Sequence, residues 1–419
     1  MHSSVFEKPS DVSARTAAEK ASPARYLVKK EQILERAARK FNALGVRGAT
    51  LADVAAEVGL NLTSIRHYFQ KKDDLVAACF LRSIDVLAEQ VERARLAGPP
   101  EARVRDLVHR YFELRRRIRI GEHPDVIIFG DLRSLAEPHA GQVWPSFIAL
   151  FRGVREIVAE PAEIREDRQR VNGRARTLVS QLMRCVFWLP EYEPAEFDRV
   201  EARFVDILIN GLAAQGVDYC VRSAQINEQA PPDRRSRDSF LLAATRLINQ
   251  QGYRGASVER IARMLNVTKG SFYHHIDAKD DLVVECFKRN MRLLQQAQRN
   301  AVASETQGLA QAAAAAGALI RRQQTLAGPL MRHSALMSVE PGTRSQMLRQ
   351  MDQVTDRFTD MIADGIIDGS VRSCDARIAG QMLMAQVNSA AELKNWIPGV
   401  TPESAIDLYA RPMLKGLFA

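Results

Sequence analysis

Apolar residues recur along this chain with the spacing of one helix face, and they do so twice in the same register. Ile33, Leu34, Ala37 and Phe41 stand at i, i+1, i+4 and i+8, and so do Phe240, Leu241, Ala244 and Ile248. That spacing collects each set on one side of a 3.6-residue turn and predicts an amphipathic helix in both places. The sets lie 207 residues apart, and the offset continues without a gap from Gly45–Phe80 to Gly252–Phe287. Of those 36 aligned positions 14 are identical, where chance composition gives about two or three. A second anchor lies downstream. Trp188-Leu-Pro-Glu-Tyr-Glu-Pro194 resembles Trp396-Ile-Pro-Gly-Val-Thr-Pro402 at an offset of 208, and each precedes a segment ending in Gly-Leu, Gly211-Leu212 and Gly416-Leu417. The duplication is therefore read as covering the whole chain.

Within each copy the pattern continues through two short helices. Gly45 or Gly252 stands where the first helix should close. Thr50 or Ser257 follows at an N-cap position, and Asp53 completes a capping box in the first copy, where the second has Arg260. The short helix behind the cap should bury Val54, Ala55 and Val58, or Ile261, Ala262 and Leu265. Gly59 in one copy and Asn266 in the other are the residue types that most easily take a positive φ, which a tight turn between helices requires. Asn61 or Thr268 then caps another short helix, with Ile65 and Phe69, or Phe272 and Ile276, facing inward. Helix, positive-φ turn and capped helix make up a helix-turn-helix.

The outward face of the last helix carries the candidate chemistry. It presents Leu62, Thr63, Ser64, Arg66, His67 and Tyr68 in the first copy, and Lys269, Gly270, Ser271, Tyr273, His274 and His275 in the second. Small residues at its start let a backbone approach a groove, and hydroxyl, cationic and ring N–H groups supply donors for base edges and phosphates. Lys72 and Lys279 follow at the start of the next helix, where free N–H groups also attract phosphate.

Composition narrows the alternatives. The 419 residues suggest two to four domains, and a 46% hydrophobic content supports ordinary cores. The formal charge of +9 suits a nucleic acid or another acidic surface. Five cysteines without a Cys-x-x-Cys pair argue against a disulfide framework or a zinc site, and the equivalent Cys79 and Cys286 read as small core residues. Neither a run long enough to span a bilayer nor an apolar leader is present, and residues 1–24 read as a mobile arm. No P-loop, nucleophile elbow, His-Glu-x-x-His or Rossmann glycine pattern occurs, so no enzyme, metal or cofactor is expected. Arg115, in the run Arg115–Arg119, reads as part of a solvated face or of a site for an acidic, coenzyme-A-like ligand. Trp188 and Trp396 either staple the last two helices of each half or line a pocket.

Val-Thr-Lys-Gly-Ser-Phe-Tyr-His-His-Ile-Asp-Ala-Lys-Asp-Asp-Leu, Val267 to Leu282, resembles the recognition helix of TetR-family regulators and its exit. Leu60 to Leu75 resembles a variant of it, with Arg66 where the family more often has Tyr and Leu62 where a polar residue is usual. The resemblance implies an all-α fold of two units, each a DNA-binding head on a helical ligand-binding and dimerisation body. It implies an operator-binding, cytoplasmic and nucleoid-associated regulator, most often a repressor released by a small-molecule effector. The expected layout is arm 1–24, head 25–80, body 81–220, linker 221–233, head 234–287 and body 288–419. The bodies should pair within one chain as a pseudo-dimer, through Arg174–Leu189 with Arg199–Ala214 and Ala376–Trp396 with Ser404–Leu417; further pairing of two chains stays open. Unlike heads imply an imperfect palindrome. A helical enzyme or ligand carrier with a TetR-like body, or an effector-independent architectural DNA protein, are the alternatives.

Overall fold

A computed structural model describes residues 23–217, 233, 236–273, 281–332, 335–336 and 339–419. The expected arm, through residue 22, and almost all of the expected linker lie outside them. Among the described residues the regular structure is helical, with one isolated antiparallel bridge between Ala213 and Val371. The first unit runs α1 (Pro23–Gly48), α2 (Leu51–Glu57), α3 (Leu62–Arg66), α4 (Lys72–Ala94), α5 (Pro100–Arg119), α6 (His139–Val158), α7 (Pro161–Glu166), α8 (Arg168–Cys185) and α9 (Phe197–Asn210). The second runs α10 (Arg237–Gly255), α11 (Val258–Leu265), α12 (Lys269–Tyr273), α13 (Asp281–Ser304), α14 (Gly308–Gln323), α15 (Pro341–Asp368), α16 (Ala376–Ser389), α17 (Leu393–Trp396) and α18 (Arg411–Lys415), with a π-turn at Ile406–Ala410 ahead of α18.

The boundaries placed after residues 80 and 287 fall inside unbroken helices. α4 and α13 each begin in a head and run on into the body, burying Leu75 and Val91 along one, and Leu282 and Leu294 along the other. Head and body therefore share a rod. Cys79 and Cys286 lie at equivalent points on these rods, buried, with sulfur 3.7 Å from the Leu34 carbonyl and 3.5 Å from that of Leu241. Burial pushes the Cys286 thiol up to about 12.

A second tie holds each head, and the two units build it alike. The Asn42 amide on α1 donates to Val126 O and accepts from Ile128 N, both at 2.8 Å, while Ser83 Oγ on α4 accepts from Ile127 N at 2.9 Å. In the second unit Asn249 donates to Leu330 O at 2.8 Å and accepts from Arg332 N at 2.9 Å. Asn290 accepts from Met331 N at 3.0 Å. Asn42 and Asn249, and Ser83 and Asn290, are each 207 residues apart. In both units a short extended segment of the body is thus latched to the first helix of its head.

The bodies pair through α8 and α9 of one unit and α16 with Ile406–Lys415 of the other, the segments expected from the sequence. The contact is close enough to join backbones. Leu212 N and Ala213 N both donate to Leu414 O at 2.9 Å, and Leu417 N donates to Leu208 O at 3.0 Å. The two Gly-Leu endings cross here. A Cβ on Gly416, at φ +103°, would lie 2.2 Å from Ile209 O, and one on Gly173 would lie 2.2 Å from Leu408 O. Polar side chains fill the seam: Ser180 Oγ meets Tyr409 Oη at 2.8 Å, and the Gln181 amide donates to Gln386 Oε1 at 2.9 Å.

One apolar cluster runs from the first head through both bodies; the second head has a separate one, around Phe240, Leu282 and Phe287. The seam generates a prediction. Gly416→Ala should cost about 3 kcal/mol or more, because strained φ and backbone overlap act together. Gly369→Ala, at φ +79° but in open space, should cost only about 1 kcal/mol. Urea denaturation of both variants checks the difference.

Candidate nucleic-acid interface

Each head is set by its caps and its turn. Thr50 Oγ1 accepts from Asp53 N at 3.1 Å while Asp53 Oδ2 accepts from Thr50 N at 2.7 Å, the reciprocal box expected at α2. The Thr50 hydroxyl and N–H hold the Asp53 carboxyl below the usual carboxylate range. Ser257 Oγ accepts from Arg260 N at 3.2 Å, so α11 has only half of that arrangement. Gly59 has φ +67° and Asn266 φ +56°, ψ +48°, which puts the same left-handed residue at the same place in both turns. Asn61 Oδ1 then accepts from Ser64 N at 2.7 Å and starts α3. Ile65 and Phe69 are buried and fix which face of α3 looks outward.

Leu62, Thr63, Arg66 and His67 are exposed on that outward face, with Leu62 an unusual apolar side chain there. On α12, Lys269, Gly270 and Tyr273 are exposed. A Cβ at Gly270 would meet only Thr268 Oγ1, at 3.9 Å, so the fold does not require glycine there; its absence of a side chain leaves backbone open on the outer face. Ser271 belongs to α12. His274 and Lys279, and with them His275 and Ile276, lie outside the described residues.

Three side chains sit in settings the residue pattern did not indicate. Lys72 Nζ donates to Val46 O at 3.0 Å and Ala49 O at 3.2 Å, so this ammonium ties the end of α1 to α4 instead of standing free for phosphate. Tyr68 is half-buried, its ring stacked on Tyr26 of α1 with centroids 4.8 Å apart. Lys269 Nζ lies 2.6 Å from Glu259 Oε1 on α11, and both side chains are 54% exposed. The Lys269 contact holds the Glu259 carboxyl down to about 2. The position equivalent to Lys269 in the first head is Leu62, and that of Arg66 in the second is Tyr273, so each outward face carries its cation at a different place.

The family profile described as "Bacterial regulatory proteins, tetR family" matches residues 33–79 and again 240–286, at the offset of 207 that the repeat sets. Each head therefore carries a domain of the TetR family, and the two stand in tandem along the chain. It is 34% identical over 89 residues to the HTH-type transcriptional dual regulator CecR of Shigella flexneri, covering 19% of this chain and 40% of that one. It is 31% identical over 68 residues to the transposon Tn10 TetC protein of Escherichia coli, covering 16% and 34%. The chain thus spans well under half the length of these two relatives. Among solved structures, the TetR family transcriptional regulator PfmR from Thermus thermophilus aligns over 42% of this chain and 98% of its own, at 20% identity and a TM-score of 0.36. AibR, solved with isovaleryl coenzyme A and operator DNA, aligns over 44% and 98%, at 21% identity and a TM-score of 0.35.

Arg115, Trp188 and Trp396, the three ligand candidates, are not brought together. Arg115 is half-buried on α5, near Asp125 and Cys185. Trp188 is buried against Phe204 and Tyr192, with centroids 6.2 Å away in each case. Trp396 is buried across the seam against Phe151 and Phe147, at 4.4 and 5.5 Å. Among the described residues no group of three or more His, Cys, Asp or Glu is placed to hold a metal ion, and no helix is long and apolar enough to cross a membrane.

The turn gives a direct check. Asn266→Ala should lower stability by about 1–2 kcal/mol, because alanine pays the left-handed cost that asparagine tolerates. Asn266→Gly should stay within about 1 kcal/mol of the parent. Thermal melts of both, read at a wavelength reporting helix, decide whether the left-handed turn is what this position selects for.

Proposed function

We propose that the chain is a transcriptional regulator that binds double-stranded operator DNA with both heads at once, acting as a repressor that a small-molecule effector releases. What carries this reading is the pair of heads built around the same left-handed turn, each followed by a five-residue helix that presents different exposed side chains. Each helix enters a major groove, about one DNA turn or 34–36 Å from the other. The site is an imperfect palindrome, because Leu62, Thr63 and Arg66 face one half-site while Lys269, Gly270 and Tyr273 face the other. Thr50, Asn61, Ser257 and Thr268 place the reading helices; Ser64, His67, Tyr68, Ser271 and His274 supply further polar groups. Lys279 contacts backbone phosphate, whereas Lys72 acts through the end of α1 that it ties down.

An effector can act only by favouring one spacing of the heads over another; equal affinity for both spacings shifts nothing. The latches at Asn42 and Asn249 are the route by which a change between the bodies reaches α1 and α10. The pairing of bodies inside one chain replaces the homodimer that separate chains would form.

Selection of bound duplexes from a randomised pool should return a site whose halves differ; a perfectly symmetric best site would sink the two-reader model. A second test uses the ion pair. Glu259→Gln removes the carboxylate that holds Lys269, so one more cation is free for phosphate. The slope of log affinity against log salt should steepen by up to about one, with affinity rising at low salt. An unchanged slope would place Lys269 off the DNA.

A further inference from the structure

We propose that the chain binds one small organic carboxylate, one molecule per chain, in a cavity on the internal pseudo-twofold axis between its bodies, with the Arg184 guanidinium receiving the carboxylate. This names an effector class for the regulator proposed above, and it depends on that reading only for its consequence at DNA.

The position of the cavity follows from its walls. It holds about 100 Å³, is open to solvent beside the exposed Phe187, and is lined by both units at equivalent places. Ser180 and Asn388, Met183 and Ala391, and Arg184 and Glu392 all line it, and each pair is separated by the 208 residues that relate Trp188 to Trp396. Ile128 and Arg332, the residues whose backbone N–H groups donate to the two latch asparagines, line it as well. Equivalent residues meet around one space only where the pseudo-symmetry axis passes. Two identical chains would place the same side chain on both sides of that axis. A single chain is free to set arginine against glutamate, and this one does.

Its chemistry selects an anion with an apolar end. Arg133, Arg176, Arg184 and Arg332 face the cavity together with one carboxylate, Glu392. Glu392 is 3.0 Å from Arg332 and 3.4 Å from both Arg133 and Arg176. Burial disfavours its charge, yet Arg176, Arg332, Arg133 and Arg184 hold its carboxyl down at about 2. Arg176 also donates to Ser389 O, and Arg133 lies over the Trp144 ring.

Arg184 differs from these three. Its guanidinium lies over the Phe187 ring, and among the described residues no carbonyl or carboxylate takes a hydrogen bond from it. Burial pulls it down to about 10 against the attraction of Glu392, so it stays charged at neutral pH, and the one carboxylate near it is already in ion pairs with Arg133, Arg176 and Arg332. A guanidinium in low dielectric matches a carboxylate through two parallel hydrogen bonds. One free fork suits a monoanion better than a phosphate dianion. Phe129, Trp144, Phe147 and Phe187 supply the apolar wall. A cavity of about 150 Å³ is the size that holds benzene, so the smaller space here sets the scale at a carboxylate with a short aliphatic chain of a few carbons.

Propionate and butyrate are the probes, titrated calorimetrically into the full chain without DNA, with tryptophan emission followed in parallel because Trp144 lines the cavity. Saturation at one equivalent per chain is expected for both, with butyramide and butylamine silent. Arg184→Gln should weaken butyrate at least ten-fold. Glu392→Gln should tighten it, because three guanidinium groups lose their internal anion. A general loss of structure cannot move two variants in opposite directions. Should Arg184→Gln fail to fold in a thermal melt, Arg184→Lys takes its place, with a smaller loss expected. Two equivalents per chain, equal binding of butyramide, tighter binding of propyl phosphate, no saturable binding, or affinity indifferent to residue 184 would each overturn the site. Because these titrations contain no DNA, a failure of operator binding leaves their outcome intact, and the reverse holds too.

Discussion

The joint behaviour of the two heads rests on one close approach, where the chain crosses itself between Leu208–Ala213 and Leu414–Leu417. Backbone pairs with backbone across this seam, at 2.9 to 3.0 Å. No side chain could do so without holding the segments apart, which is why glycine stands at 173, 211 and 416. Buried amides and hydroxyls from Ser180, Gln181, Gln386 and Tyr409 then fix the register, since each would be left unpaired by a shift along the helices. The orientation of the bodies is thereby set, and α4 and α13 carry it into the heads as continuous rods.

Much of the head was legible because its determinants are local. Thr50 and Asp53 are three residues apart, Asn61 and Ser64 likewise, and Gly59 and Asn266 act through their own φ. A duplicated sequence also shows each such feature twice, which separates pattern from accident. The latches escaped notice for the opposite reason. Asn42 finds its partners 84 and 86 residues away, and nothing local marks an asparagine on an amphipathic helix as a clamp. The one available signal was its identity with Asn249 at the repeat offset. Lys72 misleads in the same way. Its place at a helix start suggests a phosphate ligand, but the Val46 and Ala49 carbonyls come from the end of α1, whose path past α4 only the fold determines. Tyr68 read as outward because helical spacing says nothing of Tyr26, which approaches it from the first turn of α1. The three ligand candidates from the sequence lie apart for a related reason: large or charged residues attract attention singly, whereas a cavity is a property of several elements at once.

Joining two protomers covalently changes which sequences the fold can use. In a symmetric dimer every residue near the axis acts on both sides, so a charge placed there repels its own copy. Here position 184 is arginine where its equivalent, 392, is glutamate, and the two face one space. The same freedom operates at the reading helices, where Leu62 stands opposite Lys269 in the alignment of the units. The apolar core is also divided unequally, since the first head is continuous with the bodies while the second keeps a cluster of its own. Fusion thus preserves the geometry of a twofold pair while releasing its chemistry from twofold symmetry, both where DNA would be read and where a ligand would sit.

The latches show how those two places can communicate with modest energies. Each holds its extended segment by three or four hydrogen bonds of roughly 1 kcal/mol apiece, a total within reach of a small ligand's differential binding. Allosteric coupling between distinct sites typically amounts to about 1–3 kcal/mol. The segments at Val126–Ile128 and Leu330–Arg332 touch the cavity at one end and the first helix of a head at the other. A ligand that moves Ile128 or Arg332 must therefore either carry a head with it or break a latch. Either outcome would change how α1 or α10 is held, and neither requires unfolding of the rods or the seam. Control of this kind needs a rigid frame with a small hinged element at its centre, and the duplicated asparagines supply that element in both halves.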